Sequence, residues 1–169
     1  MQRDNRREIS MALLTELIQK NGVIVDLKSR FKFGAIKDII IELSKANKIN
    51  INDVEHILQS VIARENIVTT GVGYGVSLPH ALSKCLTKCI IAIGLSKSGI
   101  QWEAMDRKPV YIVFLFLAPE FLKEDLIDVQ CRVSLILKEK EFREELIKSN
   151  KNNILIRFEE MEESTLKSG

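Results

Sequence analysis

The sequence is poor in the residues that build metal sites and redox centres. Of its 169 residues, three are cysteine and two are histidine. An odd number of cysteines cannot all pair within one chain, and the segment CLTKC, which contains Cys85 and Cys89, does not have the spacing of a Cys-x-x-Cys redox or zinc motif. A zinc site would have to combine scattered ligands. We therefore expect reduced, structural cysteines, no metal and no cofactor.

A strong charge of one sign and a long apolar run are also absent. The 25 basic and 23 acidic residues leave a formal charge of +2, and they are spread along the chain, so the sequence lacks the basic stripe that binds nucleic acid or anionic membrane. No uncharged apolar run reaches the length of about 18 residues that crosses a bilayer. The N-terminal MQRDNRREIS carries charges where a signal peptide needs an apolar core. We expect a soluble, cytoplasmic protein that does not insert into a membrane or bind nucleic acid.

The chain has enough apolar residues for one hydrophobic core, since 46% of its residues are hydrophobic; its length favours one domain over two. Residues 5–20 carry apolar side chains at helical spacing, Met11 and Leu14 among them. We interpret residues 1–21 as an amphipathic helical appendage and residues 22–169 as the domain proper. The sequence leaves open whether two copies associate through this helix as a homodimer.

Helical and strand patterns follow along the domain. Residues 23–27 form a short β-branched strand candidate, and residues 35–48 and 52–66 have helical periodicity, with Asn52 or Asp53 as a cap for the second helix. Four further strand candidates are NIVTT, YGVSL, CIIAIGL and PVYIVFLFL.

The last two strand candidates are almost continuously apolar, which is typical of central strands buried on both faces. A long amphipathic segment runs from about residue 122 to residue 146, and ILIRFEEMEE predicts a final helix. The fold class that these elements predict is α/β, a single-domain sandwich of a mixed, mostly buried sheet flanked by helices on both sides.

The two histidines have different surroundings in the sequence. His56 points about 200° away from the apolar stripe of its predicted helix, so we interpret it as a solvated surface residue. His80 follows Pro79 at the end of a strand-like segment preceded by three alternating glycines. Spacing alone leaves open whether His80 is functional or a structural residue after a turn.

Gly71, Gly73 and Gly75 allow two interpretations. They can let the backbone turn sharply, or they can bring amide donors close to an anion. The segment contains no lysine and matches neither GxxxxGK[ST] nor GxGxxG, so it does not indicate a nucleotide site.

The segment ARENIVTTGVGYGVSLPHALS resembles the active-site segment of the EIIA domains of the fructose/mannitol type in the bacterial phosphoenolpyruvate-dependent phosphotransferase system, including the nitrogen-regulatory members. The resemblance continues in VIVDLKSR and in IQWEAMDRKPVYIVFLFLAPE, and it covers about residues 22–148. It implies that His80 is the catalytic residue, accepting a phosphoryl group from the phosphocarrier HPr or its nitrogen-branch counterpart. It also implies, as partner, an EIIB domain or a regulatory target protein.

The resemblance places Arg64 beside the phosphoryl group. Positioned donors must meet the charge of a transferring phosphoryl group. The candidate phosphate-binding residues are Arg64, Thr70, Gly71, Gly73 and Ser77. For Glu65 we favour a solvated surface charge, and for Asp106 a turn-capping role.

The sequence departs from the family at one position. Many relatives carry a second histidine on the helix after the Pro-Glu pair, and the corresponding position here is Leu126 or Asp125. Neither residue can replace an imidazole, so onward transfer is less well supported than acceptance of phosphate. Three hypotheses remain: an EIIA-like phosphocarrier, an EIIA-like binding module that docks on a transporter, kinase or transcription regulator, and an α/β domain without phosphate chemistry.

Overall fold

The computed structural model describes residue 9 and residues 12–167. Met11 and much of the predicted helix over residues 5–20 lie outside the described part. Within it the helices are α1 (Leu14–Asn21), α2 (Lys32–Lys45), α3 (Val54–Ile67), α4 (Lys123–Ile136), α5 (Lys140–Lys148) and α6 (Lys151–Lys167). The strands are β1 (Ile24–Asp26), β2 (Gly71–Gly73), β3 (Val76–Ser77), β4 (His80–Leu82), β5 (Ile90–Ile100) and β6 (Val110–Ala118). None of the described helices is long and apolar enough to span a membrane.

The six strands form one mixed sheet in the order β1-β5-β6-β3-β2, and β4 also pairs with β6. The two long apolar strands β5 and β6 are central, as their composition predicted, and they pair antiparallel. The short strands β3 and β4 both run parallel to β6, one after the other along the same side. Pro79 lies between them, and because proline lacks an N–H it interrupts this line of pairing.

Helices cover both faces of the sheet, which confirms the predicted α/β sandwich. One hydrophobic cluster joins alternate residues of β5 and β6 to α1, α4, α5 and α6. The second cluster joins the intervening strand residues to α2 and α3. The predicted inward residues of α2 are fully buried; they are Ile36, Ile39, Ile40 and Leu43. This alternation follows from the period of two in strands and the apolar stripe of each helix.

Helices α1 and α6, the first and last of the named helices, meet in the first of these clusters. Leu14, Leu17 and Ile18 of α1 are buried there. The Leu14 amide donates to Glu162 of α6 at 2.6 Å, and Arg132 of α4 forms an ion pair with the same carboxylate. These contacts anchor α1 to two other helices, while the division of the chain at residue 21 stays a prediction.

Three local expectations were wrong. NIVTT is not a strand, because α3 continues to Ile67 and the next residues turn around the side chain of Glu65. Neither Asn52 nor Asp53 makes a capping hydrogen bond to α3; instead Asn50 accepts from the Asn52 amide in the preceding 3-10 turn. The helix predicted from residue 122 to residue 146 is broken between α4 and α5. There the Arg143 side chain donates to the carbonyls of Leu137 and Lys138, which satisfies carbonyls at the end of α4.

Candidate functional site

His80 lies at the start of β4, at a partly exposed edge of the sheet. The backbone before it is held on both sides, since the Leu78 amide donates to the carbonyl of Thr70 and the Phe116 amide donates to the carbonyl of Pro79, each at 3.0 Å. His80 itself is paired with Phe116 in the register of β4 and β6. The ring therefore projects from a rigid backbone rather than from a mobile loop.

Hydrogen bonds at both ring nitrogens define the tautomer of His80. Its Nδ1 lies 3.0 Å from the carbonyl oxygen of Leu78. A carbonyl can only accept, so Nδ1 carries the proton. The Nε of Arg64 donates to Nε2 of His80 at 3.1 Å. A neutral ring with its lone pair on Nε2 satisfies both contacts, so Nε2 is the accepting nitrogen of the ring.

Arg64 approaches His80 from the last turn of α3. Besides its bond to the imidazole, its Nη1 donates to the carbonyl of Val68 at 3.1 Å. The guanidinium is thus held at two points, one on the histidine and one on the turn that follows α3. This geometry brings together the two residues that the sequence predicted to act together.

Glu65 is the main site residue that the sequence analysis misjudged. We expected a solvated charge, but its side chain is 3% exposed. Its carboxylate accepts from the amide of Thr70 and from the hydroxyls of Thr69 and Thr70. It also accepts from the indole N–H of Trp102 at 3.0 Å. A buried carboxylate is tolerated because these donors compensate its lost hydration.

Trp102 is the residue whose chemistry could have indicated that a buried acceptor lies nearby. Trp102 is the only tryptophan of the chain, and a buried indole N–H needs an acceptor. Glu65 and Trp102 are separated by 37 positions, so no local spacing shows that they meet.

The alternating glycines form a tight hairpin between β2 and β3. Tyr74 and Gly75 are its two central residues, with φ of 56° and 76°, and positive φ at both positions is the geometry of a two-residue type I′ turn. The Tyr74 amide donates to Asp106 at 3.0 Å and the Lys108 amide donates to the same carboxylate at 3.1 Å. Asp106 therefore has the predicted turn-capping role, and it also fastens the hairpin to the loop after β5.

These amides hold the pKa of the Asp106 carboxyl below its ordinary value, the Lys108 amide being the largest cause and the Tyr74 amide a further one. The pKa shift agrees with the geometry, because donors to the ionised form favour it.

The remaining predicted phosphate ligands lie close in sequence but have different environments. The Thr70 hydroxyl donates to Glu65 at 2.5 Å, and the Gly71 amide donates to the Thr69 hydroxyl at 3.2 Å. A Cβ on Gly71 would lie 2.8 Å from Ala104, so this glycine permits close packing. Ser77 is fully buried, and its hydroxyl has no hydrogen-bond partner among the described residues. Their role in phosphate binding, like that of Gly73, stays a prediction.

The position at which the resemblance implies a second histidine lies on α4. Leu126 is buried in the first hydrophobic cluster and Asp125 is half-buried in the first turn of the helix. The charge of Asp125 is the smaller of two causes that raise the pKa of the Cys89 thiol to about 12, the larger being burial. Neither residue is an imidazole, so the departure from the family seen in the sequence remains in the structure.

Exposed apolar side chains lie on the segments that lead into and out of the site. We call this set the apolar rim; it consists of Ile67, Val68, Val72, Tyr74 and Met105. The first two follow Arg64 on the chain, the next two belong to the hairpin, and the Met105 amide donates to the carbonyl of Gly71 at 2.9 Å. Exposed apolar groups around a polar centre are typical of a surface that contacts another protein.

The sequence was compared with models of known families. The model of the family described as "Phosphoenolpyruvate-dependent sugar phosphotransferase system, EIIA 2" matches residues 16–160. The match includes the site formed by Arg64, Glu65 and His80.

Curated relatives agree with this match. A fructose-specific EIIA component of the phosphotransferase system from Haloferax volcanii is 32% identical over 118 residues, which is 70% of this chain and 75% of that protein. A nitrogen regulatory protein from Bradyrhizobium diazoefficiens is 29% identical over 133 residues, covering 79% of this chain and 85% of that protein. A fructose-specific EIIABC component from Bacillus subtilis is 29% identical over 143 residues, or 85% of this chain, but the match spans only 22% of that longer protein.

Solved structures share the fold. The nitrogen regulatory protein IIA-Ntr from Neisseria meningitidis superposes with a TM-score of 0.76 at 22% identity, covering 87% of this chain and 99% of that one. The mannitol IIA protein of Escherichia coli superposes with a TM-score of 0.67 at 16% identity, over 82% of this chain and 95% of that one. Together with the family match, these similarities show that the chain belongs to the EIIA 2 family of the phosphoenolpyruvate-dependent sugar phosphotransferase system.

Proposed function

We propose that the chain is a histidine phosphocarrier in which Nε2 of His80 accepts a phosphoryl group from an HPr-type donor protein. One observation carries the proposal: Nδ1 of His80 is engaged by the Leu78 carbonyl, which leaves the lone pair on Nε2 beside the Arg64 guanidinium. A neutral imidazole with one free lone pair is the form that attacks phosphorus.

The transfer needs no cofactor, because the bond that forms to phosphorus is matched by the bond that breaks. The lone pair of His80 Nε2 forms a bond to phosphorus, the bond between phosphorus and the donor's phosphorylated nitrogen breaks, and that nitrogen keeps the electron pair. The proton on Nδ1 stays in its hydrogen bond to Leu78 throughout. Since the Arg64 N–H occupies the lone pair before reaction, the guanidinium must turn toward the incoming phosphoryl oxygens, where its charge stabilises them.

The apolar rim is the surface we propose for the donor. A protein donor must bring its phosphorylated side chain to Nε2, and the exposed side chains of the rim provide apolar area on the segments that follow Arg64 and form the hairpin. For onward transfer we propose an EIIB domain as acceptor, which agrees with a neighbour of the same fold that was solved as a complex of mannitol IIA and phosphorylated mannitol IIB from Escherichia coli. Association of two copies through the N-terminal helix of residues 1–21 stays a prediction.

The test is phosphorylation in a reconstituted system. The protein incubated with phosphoenolpyruvate, enzyme I and an HPr-type donor should gain one acid-labile phosphoryl group, and phosphorus NMR should assign it to Nε2. His80→Ala should abolish labelling. His56→Ala is the matched control, because His56 is exposed on α3 and its loss should leave labelling unchanged. Labelling that persists in His80→Ala would contradict the proposal.

A second candidate function is a regulatory binding module whose phosphorylation state controls docking. The observation that favours it is the absence of an imidazole at Leu126 and Asp125, which weakens the case for onward transfer. A phosphoryl group would add roughly −1.5 to −2 charges next to the apolar rim and so disfavour an apolar partner. Pull-downs of wild type and His80→Ala, each with and without the donor system, test this: the same partners with the same affinity in every state would argue against a switch.

A further inference from the structure

We infer that Glu65 is a positioning residue for phosphoryl transfer at His80. Its buried carboxylate holds the turn after α3, and the Val68 carbonyl of that turn holds the Arg64 guanidinium beside His80. From this place the guanidinium can reach the phosphoryl oxygens when its Nε–H leaves the Nε2 lone pair. The inference rests on the proposed function, since it assigns Glu65 a part in that reaction. Glu65 touches neither the imidazole nor Arg64 in any hydrogen bond described for it, so its effect is transmitted through the turn.

The first link joins Glu65 to the turn. Three of the four groups that donate to its carboxylate belong to Thr69 and Thr70, and the fourth is the indole of Trp102, which is fully buried. A buried carboxylate loses its hydration, so it binds strongly to whatever donors the fold supplies. The backbone from residue 68 to residue 70 is thereby fixed against the second hydrophobic cluster.

The second link joins the turn to Arg64. The Val68 carbonyl lies two positions before Thr70 and accepts from Nη1 of Arg64 at 3.1 Å. An arginine side chain has several rotatable bonds, and it loses part of that freedom only where two of its N–H groups are engaged at once. With the Val68 anchor displaced, the guanidinium is held at the His80 end alone, and its orientation toward a phosphoryl group becomes less defined.

Glu65→Gln is the informative substitution because it preserves volume and changes only the donor-acceptor balance. The carboxylate oxygens accept from four donor groups, whereas an amide has one accepting oxygen and one donating nitrogen. With the amide nitrogen in the place of Oε1, its N–H groups face the Trp102 indole N–H and the Thr70 amide N–H. With the nitrogen in the place of Oε2, the Thr70 hydroxyl has to turn from donating to accepting. Either orientation rearranges the hydrogen bonds of the turn and removes the negative charge that draws them together. Glu55→Gln is the matched control, since Glu55 lies exposed on the same helix, where it accepts from Gln59.

The decisive measurement is a double-mutant cycle on the rate of phosphoryl uptake from the HPr-type donor. We expect Glu65→Gln to lower kcat about 10- to 100-fold with little change in the KM for the donor, since misplacement of a catalytic group by about 1 Å costs about 100-fold. If Glu65 acts through Arg64, adding Glu65→Gln to Arg64→Ala slows the reaction by no more than about two-fold beyond Arg64→Ala alone. Fully additive losses, or an equal loss from Glu55→Gln, would overturn the inference.

A second readout does not depend on activity. In 15N NMR spectra of the unphosphorylated protein, Glu65→Gln should shift the His80 Nε2 and Arg64 Nε resonances, whereas Glu55→Gln should not. Unchanged resonances in a folded Glu65→Gln protein would overturn the inference. If wild type takes up no phosphoryl group the proposed function fails, and the spectra still decide whether Glu65 positions Arg64.

A third variant covers the case in which Glu65→Gln does not fold. Trp102→Phe keeps an aromatic ring and removes only the indole donor. We expect the same shifts in the Arg64 and His80 resonances with smaller amplitude, and unchanged resonances in this variant would overturn the inference in the same way.

Discussion

The cysteines of the chain differ in their surroundings. Cys85 and Cys131 are exposed, whereas Cys89 is buried, and burial, followed by the charge of Asp125, raises the pKa of the Cys89 thiol to about 12. We therefore expect a thiol reagent at about pH 8 to modify two cysteines in the folded protein and the third only after unfolding. Rapid modification of three cysteines in the folded state would contradict this.

The same pKa shift predicts how stability depends on pH. The unfolded thiol titrates near its ordinary value of 9.0 and the folded one near about 12. The contribution of Cys89 to the free energy of unfolding is thus fully present below pH 9.0 and is lost as pH rises toward 12. The free energy of unfolding, measured with urea at about pH 8 and at about pH 10, should fall less between these two pH values in Cys89→Ala than in wild type.

Single residues also show what a local segment can indicate. Spacing alone left the role of His80 open, and the resemblance to a known family singled out His80 and Arg64; the structure brings these two side chains into contact. Glu65 was misjudged although it is the neighbour of Arg64. Its burial depends on Trp102, which reaches it from a distant part of the chain.

At the scale of elements, the hairpin between β2 and β3 depends on Asp106. Two backbone amides donate to this carboxylate, and they lower its pKa. We expect Asp106→Ala to destabilise the hairpin and to speed hydrogen exchange of the Tyr74 and Lys108 amides, measured by NMR. Asp26→Asn, at the exposed end of β1, should leave both amides unchanged.

The pH dependence of this contact has a definite sign. A carboxyl whose pKa is lower in the folded state stabilises the fold above its ordinary value of 3.8, and that contribution is lost as pH falls through the lower folded pKa. The measurement is the hydrogen-exchange rate of the Tyr74 amide at falling pH, corrected for the intrinsic pH dependence of exchange. If acid changes this rate equally in wild type and in Asp106→Ala, the role of Asp106 is contradicted.

Element types were predicted better than element ends. The apolar runs of β5 and β6 identified central strands because strands that are buried on both faces contain few polar residues. The break between α4 and α5 was missed, since the apolar periodicity continues across it and only the contacts of Arg143 with the α4 carbonyls reveal the end of the helix.

At the scale of the whole molecule, a buried ion pair joins the two ends of the described chain. Glu162 of α6 is 3% exposed and pairs with Arg132, while both contact the backbone at the start of α1. Glu162→Ala leaves the buried Leu14 amide without its acceptor and removes one ion-pair partner of Arg132, so it should lower the free energy of unfolding by about 1–3 kcal/mol. Urea denaturation followed by circular dichroism measures this.

The control for that prediction is Glu159→Ala, an exposed acid on the same helix. Its effect should stay within about 0.5 kcal/mol. A loss of the same size in both variants would indicate a general effect of charge on α6 rather than the buried pair. Glu162 lies beyond residues 16–160, which the family model matches, so this contact is a feature of the chain that the family resemblance did not predict.

The amino-acid sequence by itself determined which residues face the core, because helical and strand periodicity are local properties, and its resemblance to a known family indicated the segment that contains His80. The tertiary structure decided which nitrogen of His80 is free, where Arg64 points and why Glu65 is buried. The burial of Glu65 depends on its contact with Trp102, 37 positions away, and the anchoring of α1 depends on the contact of Leu14 with Glu162. Such contacts are set by strand order and helix packing, which local patterns do not encode.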